Sequence, residues 1–140
     1  AENVMSVLSH TGEADIILSF TANMESRHWF RVILSRTFTG LCNILYGLHV
    51  TYYNGASIYP RRLLQSLNLK NDSFVYNVEA FVSAIKSHPK LTYKEVPIIL
   101  NQGKTSGAAF KIDNIIGIGR TLLRLFWRVW FQRSRLLKRV

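Results

Sequence analysis

Residues 14–20, ADIILSF, form a mostly apolar run that has the length of one β-strand. A strand that is apolar on both sides needs helices packed on both faces of its sheet. The residues from Asn3 to Ser9 precede this run with a helical pattern that Gly12 ends. This order of helix and strand predicts an α/β fold, and 140 residues with 48% apolar side chains suffice for one domain with a core.

The longest predicted helix of the first half of the chain covers residues 26–46. Its apolar residues recur at helical spacing, Ser26 is a candidate N-cap, and Gly47 ends the helix. A later strand contains Pro97, which cannot donate a backbone hydrogen bond and therefore indicates an edge strand or a bulge. The other predicted elements are a strand at Tyr52 and Tyr53 that runs into an Asn-Gly turn, a strand at 56–59, a short helix with Pro60 at its first position, a helix at 74–88 and the Pro97 strand at 91–100.

Positive charge is concentrated towards the end of the sequence. The chain has 18 Lys and Arg against 8 Asp and Glu, and seven of the basic residues but none of the acids follow Asp113. Residues 114–138 are predicted to form one helix, in which Arg and Gln recur at three- or four-residue steps beside leucines and aromatic residues. Such a helix is typical of a bilayer surface, where Trp lies at the interface and Arg meets anionic lipid. The predicted membrane-facing residues are Arg120, Arg124, Trp127, Arg128, Trp130 and Phe131.

Two alternatives to this membrane-surface helix remain open. The segment could be a core helix whose aromatic side chains pack on the sheet while its arginines face water. A basic segment could also bind nucleic acid, but aromatic and aliphatic residues dominate its apolar face and no known reader motif occurs, so no nucleic-acid partner is expected. No run of about 18 apolar residues is present, so no membrane span is predicted.

Few residues have the spacing of a metal or catalytic site. Glu13 and Asp15 could form a carboxylate pair for a divalent cation, but they precede their strand instead of following it, which favours solvated acids. The four histidines share no ligand spacing, and Cys42 is the single cysteine, so neither a metal site nor an intramolecular disulfide is predicted. The sequence identifies no catalytic residue.

Two segments have the chemistry of phosphate binding. Arg27, Arg31 and Arg36 lie on or near one face of the predicted helix at 26–46, and guanidinium groups match phosphate oxygens. A solvated helix face is the alternative. The loop GKTSG at 103–107 offers backbone N–H groups, hydroxyls and Lys104, as phosphate-holding loops do, although ordinary loops have the same composition.

A set of segments in a fixed order resembles the second half of family 2 glycosyltransferases. The segments are ADIILSF, SRHWFRVILSRTFTGLCNILYGLHVTYYNGASIYPRRLL, SFVYNVEAFVSAI, YKEVPIIL and GKTSGAAFK, and they cover about residues 10–115. The subgroup that the chain resembles most is the dolichyl-phosphate mannose synthase type, which moves a sugar from a nucleotide onto a polyprenyl phosphate. This resemblance implies a GT-A-like α/β fold. The family's nucleotide-binding half, with its Asp-x-Asp motif, would precede residue 1, so Mg²⁺ or Mn²⁺ is expected with that half and no cofactor in this chain.

The resemblance also assigns roles to particular residues. The chain departs from the family pattern after its first strand, where Ser19-Phe20-Thr21 replaces a usual Arg, and at Lys104 and Ala109, where Arg and Ser are usual. The implied roles are acceptor-phosphate binding by Arg27, Arg31 and Arg36, an acceptor pocket of Tyr53, Asn54, Gly55 and Glu79, and a loop of Gly103, Lys104 and Gly107 over the donor diphosphate.

The resemblance implies that residues 1–113 are the acceptor-side part of a glycosyltransferase domain, and the spacing of basic and apolar residues predicts residues 114–140 as a basic amphipathic membrane-surface helix. The expected partners are a nucleotide sugar, a lipid-phosphate acceptor and an anionic membrane, with the protein peripheral on the cytoplasmic face. Without the donor half, the 140-residue chain is expected to transfer no sugar. The alternative from another class is a non-enzymatic membrane-binding or interaction module that keeps the fold without the chemistry.

Overall fold

A computed structural model describes residues 2–23, 29–71, 75–99 and 112–138. These residues form a small α/β fold in which a three-stranded mixed sheet is combined with five α-helices, as the sequence predicts. The elements are α1 (Glu2–Ser9), β1 (Ile16–Thr21), α2 (Trp29–Tyr46), β2 (Ser57–Ile58), α3 (Arg61–Ser66), α4 (Tyr76–Ser87), β3 (Tyr93–Ile98), α5 (Ile112–Phe131) and a 3₁₀ turn (Arg133–Leu136).

Strand β1 is the centre of the described sheet, whose order is β2-β1-β3. It pairs in parallel with β3, from Ile16 opposite Tyr93 to Thr21 opposite Ile98, and antiparallel with the short β2. The apolar run of β1 is buried, which confirms the prediction for this strand. Pro97 lies in β3, at an edge of the described sheet, where a missing backbone donor costs little.

Helices cover both faces of the sheet. Ile16 and Leu18 point into the main core, which also contains buried residues of α2, α4 and α5. Ile17, between them in sequence, points to the other face and packs in a smaller cluster with Val7 of α1 and Val96 of β3. This alternation explains why β1 carries apolar residues at successive positions.

The segment between α2 and β2 forms a bent loop, so the predicted strand at Tyr52 and Tyr53 is wrong. Gly47 ends α2 as predicted, with a φ of 63° that suits glycine. The Asn43 side chain then supplies the hydrogen bonds that a neighbouring strand would supply. Its Nδ2 donates to the Val50 carbonyl at 2.9 Å, and its Oδ1 accepts from the Val50 N–H at 3.1 Å and the Tyr53 hydroxyl at 2.8 Å.

The C-terminal segment leaves the helix earlier than predicted, because α5 ends at Phe131 and not at Lys138. The chain turns at Gln132 and returns to the segment after α3. There the Asn68 N–H donates to the Leu136 carbonyl at 2.8 Å, and Leu136 becomes fully buried. A straight helix would leave Leu136 in water, so burial of this side chain favours the turn.

The starting position of α3 also differs from the sequence prediction. Pro60 occupies the N-cap position, and the first helical residue is Arg61. The fixed φ of proline, here −57°, is compatible with either position. In the described part of the chain, no helix is both long enough and apolar enough to cross a membrane.

Candidate functional site

Helix α5 presents two apolar faces. Leu122, Leu125 and Val129 are buried in the main core, so α5 packs as part of the α/β domain. The opposite side carries a second apolar row that is exposed to solvent, and Trp127, for example, is 54% exposed. A helix that only packed on the core would be polar on this side. The exposed residues, called the apolar stripe below, are Ile116, Leu123, Trp127, Trp130 and Phe131.

Two of the three predicted arginines of α5 accompany the apolar stripe. Arg120 and Arg124 are exposed; at about 100° per residue, Arg120 lies within the stripe and Arg124 lies along its border. Arg128 points inward instead: its side chain is 11% exposed, and it donates to Glu79 Oε1 at 2.6 Å and to the Asn68 carbonyl at 2.7 Å. The prediction that Arg128 faces a membrane is therefore wrong.

The aromatic residues at the end of α5 are held in fixed positions. Trp127 and Phe131 stack with ring centroids 4.4 Å apart. The Trp130 Nε1–H donates to the Leu45 carbonyl of α2 at 3.0 Å, and the Lys86 ammonium lies 5.2 Å from the Trp130 ring centroid. Trp130 therefore joins the apolar stripe to the end of α2.

The apolar surface continues along α2 from this contact. Ile44, next to Leu45 in sequence, is 82% exposed, and the other exposed apolar residues of α2 recur at helical spacing on the side away from the core. Exposed apolar residues on two neighbouring helices indicate a surface that meets an apolar partner or a membrane. The α2 residues of this surface are Phe30, Ile33, Leu41 and Ile44.

Glu79 is a buried structural group and does not line an open acceptor pocket. Its side chain is fully buried, and the carboxylate accepts from the Arg128 guanidinium, from the Asn71 N–H at 3.0 Å and Asn71 Nδ2 at 2.8 Å, and from the Lys70 N–H at 3.2 Å. These bonds tie the loop at Lys70 and Asn71 to α5. With these contacts, Glu79 has a structural role instead of the acceptor-pocket role that the resemblance implies.

Tyr53 and Gly55, also implied as acceptor-pocket residues, are packing residues. Tyr53 is 2% exposed, donates to Asn43, and packs edge-to-face on Phe81 with ring centroids 6.2 Å apart. Burial raises the pKa of the Tyr53 hydroxyl well above its ordinary value. Gly55 lies directly against the Ser19 backbone of β1. Of this implied set, Asn54 remains partly exposed.

Two of the three arginines implied for phosphate binding do not share a face of α2. Arg31 is half-buried and Arg36 is exposed. Five residues along an α-helix rotate the side chain by about 140°, so these two arginines point in different directions. Arg27 and the loop of Gly103, Lys104 and Gly107 lie outside the described residues.

The strand ends that lead towards those segments are neighbours. Thr21, the last residue of β1, is paired with Ile98, the last residue of β3, and the Ala22 N–H donates to the Ile98 carbonyl at 2.9 Å. Ligands of open α/β sheets bind outside the carboxyl ends of parallel strands. Residues 24–28 and 100–111 follow these two ends in sequence.

A cleft that the sequence does not predict lies between α5 and the loop after α3. It has a volume of about 420 Å³ and is bordered by Lys70 and Asn71 of the loop and by Thr121, Arg124 and Trp127 of α5. Its two walls are about 50 residues apart in sequence. No local pattern brings them together, because the link between them is the contact of Arg128 with Glu79 and Asn68.

The acidic residues near the start of β1 have structural partners. Glu13 pairs with Lys94, which lowers the pKa of the Glu13 carboxyl. Asp15 accepts from the Thr92 N–H at 2.8 Å and the Thr92 hydroxyl at 2.9 Å, which lowers the pKa of the Asp15 carboxyl. Cys42 is buried, and burial raises the pKa of its thiol to about 12. Within the described ranges, no group of three or more His, Cys, Asp or Glu residues could hold a metal ion.

Comparison of the chain with protein-family models, with curated proteins and with solved structures finds no match. These comparisons therefore assign no family to the chain. The features of the chain that bear on its function are the apolar stripe with its arginines, the neighbouring ends of β1 and β3, and the glycosyltransferase-like motifs of the sequence.

Proposed function

We propose that this chain is the acceptor-side part of a glycosyltransferase that moves a sugar from a nucleotide onto a lipid phosphate at the cytoplasmic surface of a membrane. The observation that carries the proposal is the exposed apolar stripe of α5, which is accompanied by Arg120 and Arg124. The other face of the same helix is buried in the core. The core face fixes the orientation of α5, so the stripe is presented outward as a preformed surface. A lipid acceptor has to be met at such a surface.

The charges and apolar groups of α5 match an anionic bilayer. Each Arg near an anionic surface contributes about 1 kcal/mol to binding, so Arg120 and Arg124 together contribute about 2 kcal/mol. Trp and Phe side chains at the headgroup boundary add the free energy of apolar burial. Because this second term does not depend on charge, binding should weaken with salt without being lost.

The sugar-transfer part of the proposal is supported by the resemblance and by the adjacent ends of β1 and β3. These ends lead in sequence towards Arg27 and Lys104, which would bind the acceptor phosphate and the donor diphosphate. A phosphate nucleophile is already ionised near neutral pH, so the reaction needs positioning and charge neutralisation more than a protein base. The donor nucleotide and its Mg²⁺ or Mn²⁺ would bind to the donor half.

A flotation experiment tests the membrane surface. Vesicles with and without phosphatidylserine are mixed with the chain and with two double variants of α5. Arg120→Gln with Arg124→Gln should lower affinity for anionic vesicles about thirtyfold, the equivalent of 2 kcal/mol. Leu123→Ser with Phe131→Ser should lower it more than tenfold, because apolar burial is lost.

Matched controls distinguish binding through this surface from nonspecific effects of charge and hydrophobicity. Arg61→Gln with Arg62→Gln removes two exposed arginines of α3, and Val4→Ser with Met5→Ser removes two exposed apolar residues of α1. Both controls should float like the unmodified chain. Equal losses in the controls and in the α5 variants would refute the assignment of the membrane surface to α5.

A soluble prenyl phosphate tests the acceptor chemistry. Citronellyl phosphate should bind the chain, citronellol should not, and Arg27→Gln should weaken binding while Arg61→Gln leaves it unchanged. Binding that is independent of the phosphate, or of Arg27, would refute the acceptor site.

The second candidate is a non-enzymatic membrane-binding module with the same fold. The burial of Tyr53 and Glu79 favours it, because two residues implied for an acceptor pocket serve packing instead. Both candidates predict flotation through α5. They differ in the prenyl phosphate experiment, in which a module without the chemistry would bind citronellyl phosphate no better than citronellol.

A further inference from the structure

The cleft between α5 and the loop after α3 combines positive charge with an aromatic wall. Lys70 projects from the loop, Arg124 from α5, and Thr121 lies one turn before Arg124 on the same side of the helix. The volume of about 420 Å³ is within the range of small-molecule sites, about 300 to 1,000 Å³. No acid borders the cleft among the residues that the structure describes.

The charge balance leaves two cations for a ligand. Arg128 also borders the cleft, but its guanidinium is matched by the buried carboxylate of Glu79. Lys70 and Arg124 form no ion pair with any described residue. The described residues therefore give the cleft net positive charge, and its ligand should be an anion with two or more oxygens that can accept hydrogen bonds.

Trp127 gives the cleft its second property. Its ring borders the cleft and also stacks on Phe131 in the apolar stripe, so the cleft opens directly onto the surface assigned to the bilayer. A free anion would use the two cations alone. An amphiphile would place its anionic head in the cleft and its chain along Trp127 and Phe131.

From this geometry, we propose that Lys70 and Arg124 bind the phosphate head of a membrane lipid, with the lipid chain lying along Trp127. The proposal rests on the membrane-surface function above and adds a specific lipid contact to it. The site uses other residues than the arginines implied for the acceptor phosphate, since Lys70 lies in the loop after α3 and Arg124 lies in α5. Glu79 and Arg128 act as positioning residues, because they hold the loop against α5.

Short-chain lipids test the site without a bilayer. Calorimetric titration of the folded chain compares dihexanoyl phosphatidic acid, dihexanoyl phosphatidylcholine and inorganic phosphate, each lipid below its micelle concentration. Phosphatidic acid should bind at least tenfold more tightly than either of the others. Phosphatidylcholine lacks a free phosphate monoester, and inorganic phosphate lacks the chain that contacts Trp127.

Variants then locate the site. Lys70→Gln and Arg124→Gln should each weaken binding of phosphatidic acid at least tenfold. Lys90→Gln, which removes an exposed lysine elsewhere, should change it less than twofold. Circular dichroism checks that each variant is folded, which is expected because both side chains are exposed.

Three results would overturn the proposal: equal losses in Lys70→Gln and Lys90→Gln, equal binding of phosphatidic acid and phosphatidylcholine, or equal binding of inorganic phosphate and phosphatidic acid. The last result would assign the cleft to a free phosphate. This experiment is independent of flotation. Binding of short-chain phosphatidic acid without vesicle binding would refute the membrane surface alone, and vesicle binding that ignores Lys70 would refute the lipid site alone.

Discussion

Replacing Glu79 with Gln should be among the most destabilising single changes in this chain. The carboxylate is fully buried and accepts hydrogen bonds from Arg128, Asn71 and Lys70. Gln at this position has no charge, so the guanidinium of Arg128, with 11% of its side chain exposed, loses its counterion. Removing one partner of a buried ion pair costs about 3–5 kcal/mol, several times the 0.5–1.5 kcal/mol of an ordinary hydrogen bond.

This loss is large compared with the stability of a domain of this size. Folded domains are stable by about 5–15 kcal/mol, so a loss of about 3–5 kcal/mol in Glu79→Gln should remove a fifth or more of that stability. Each kcal/mol lowers the melting temperature by about 2–4 °C in a chain slightly larger than this one, which predicts a fall of about 10 °C. Urea unfolding followed by circular dichroism and Trp fluorescence measures the free energy of unfolding, and thermal unfolding followed by circular dichroism measures the melting temperature.

A double-mutant cycle separates the ion pair from general packing. Arg128→Met should also destabilise, because Glu79 is then buried without a cation, and the double variant should be less destabilised than the sum of the single changes by at least about 1 kcal/mol. Glu13→Gln is the control, since it breaks an exposed ion pair and should unfold like the unmodified chain. Additive losses, or a loss no larger than that of Glu13→Gln, would refute the reasoning.

Two further changes test local geometry. Gly55→Ala should lower the free energy of unfolding by about 1–3 kcal/mol, because a Cβ at this position would lie 1.8 Å from the Ser19 carbonyl oxygen. Gly40→Ala in α2 should raise the free energy of unfolding by up to about 1 kcal/mol, because an added Cβ would meet nothing within 4 Å beyond its own helix. Equal urea midpoints of the two variants would contradict both predictions. Asp15→Asn tests the contribution of the Asp15 carboxylate, whose pKa in the folded chain is lowered by hydrogen bonds from Thr92. The carboxylate stabilises the fold above its ordinary pKa of 3.8, and this stabilisation is lost as the pH falls through the lower pKa of the folded state. The stability difference between the unmodified chain and Asp15→Asn should therefore shrink below about pH 4, and a constant difference from pH 7 to pH 3 would exclude this carboxyl as its source.

Most of the fold follows from local patterns in the sequence. The apolar run at 14–20 predicts the central strand because both of its faces are covered, and helical spacing predicts α2 and α4 because each has one buried side. Pro97 is compatible with β3 because that strand lies at an edge. Each of these predictions depends on residues close together in sequence, and each is confirmed.

The errors arise where a distant residue decides the local structure. Tyr53 belongs to a loop because the Asn43 side chain binds it, although a Tyr-Tyr pair favours a strand. Helix α5 ends at Phe131 because the following residues pair with the segment at Asn68. Helical propensity near residue 131 contains no information about that contact.

The candidate site was predictable to the same extent. Spacing in α5 correctly indicates an amphipathic helix, and the core interpretation holds for its buried face. The exposed face is the one on which the membrane interpretation, still a prediction, depends. Spacing could not distinguish Arg128 from Arg120 and Arg124, which recur at the same interval. The distinction is made by Glu79, 49 residues away.

The inward turn of Arg128 links the stability of the domain to its surface. Glu79 and Arg128 form a neutral pair inside the domain, whereas the described charges on and beside the outer face of α5 include those of Arg120, Arg124 and the nearby Lys70. All three are positive, and Arg124 and Lys70 face a shared cleft beside exposed Trp127. A basic partner would be repelled from such a surface, and a neutral apolar partner would leave the cations without counterions. A surface that is both anionic and apolar, such as a bilayer with phosphate heads, satisfies both sets of groups at once, and this is why the same buried pair should affect folding and lipid binding together.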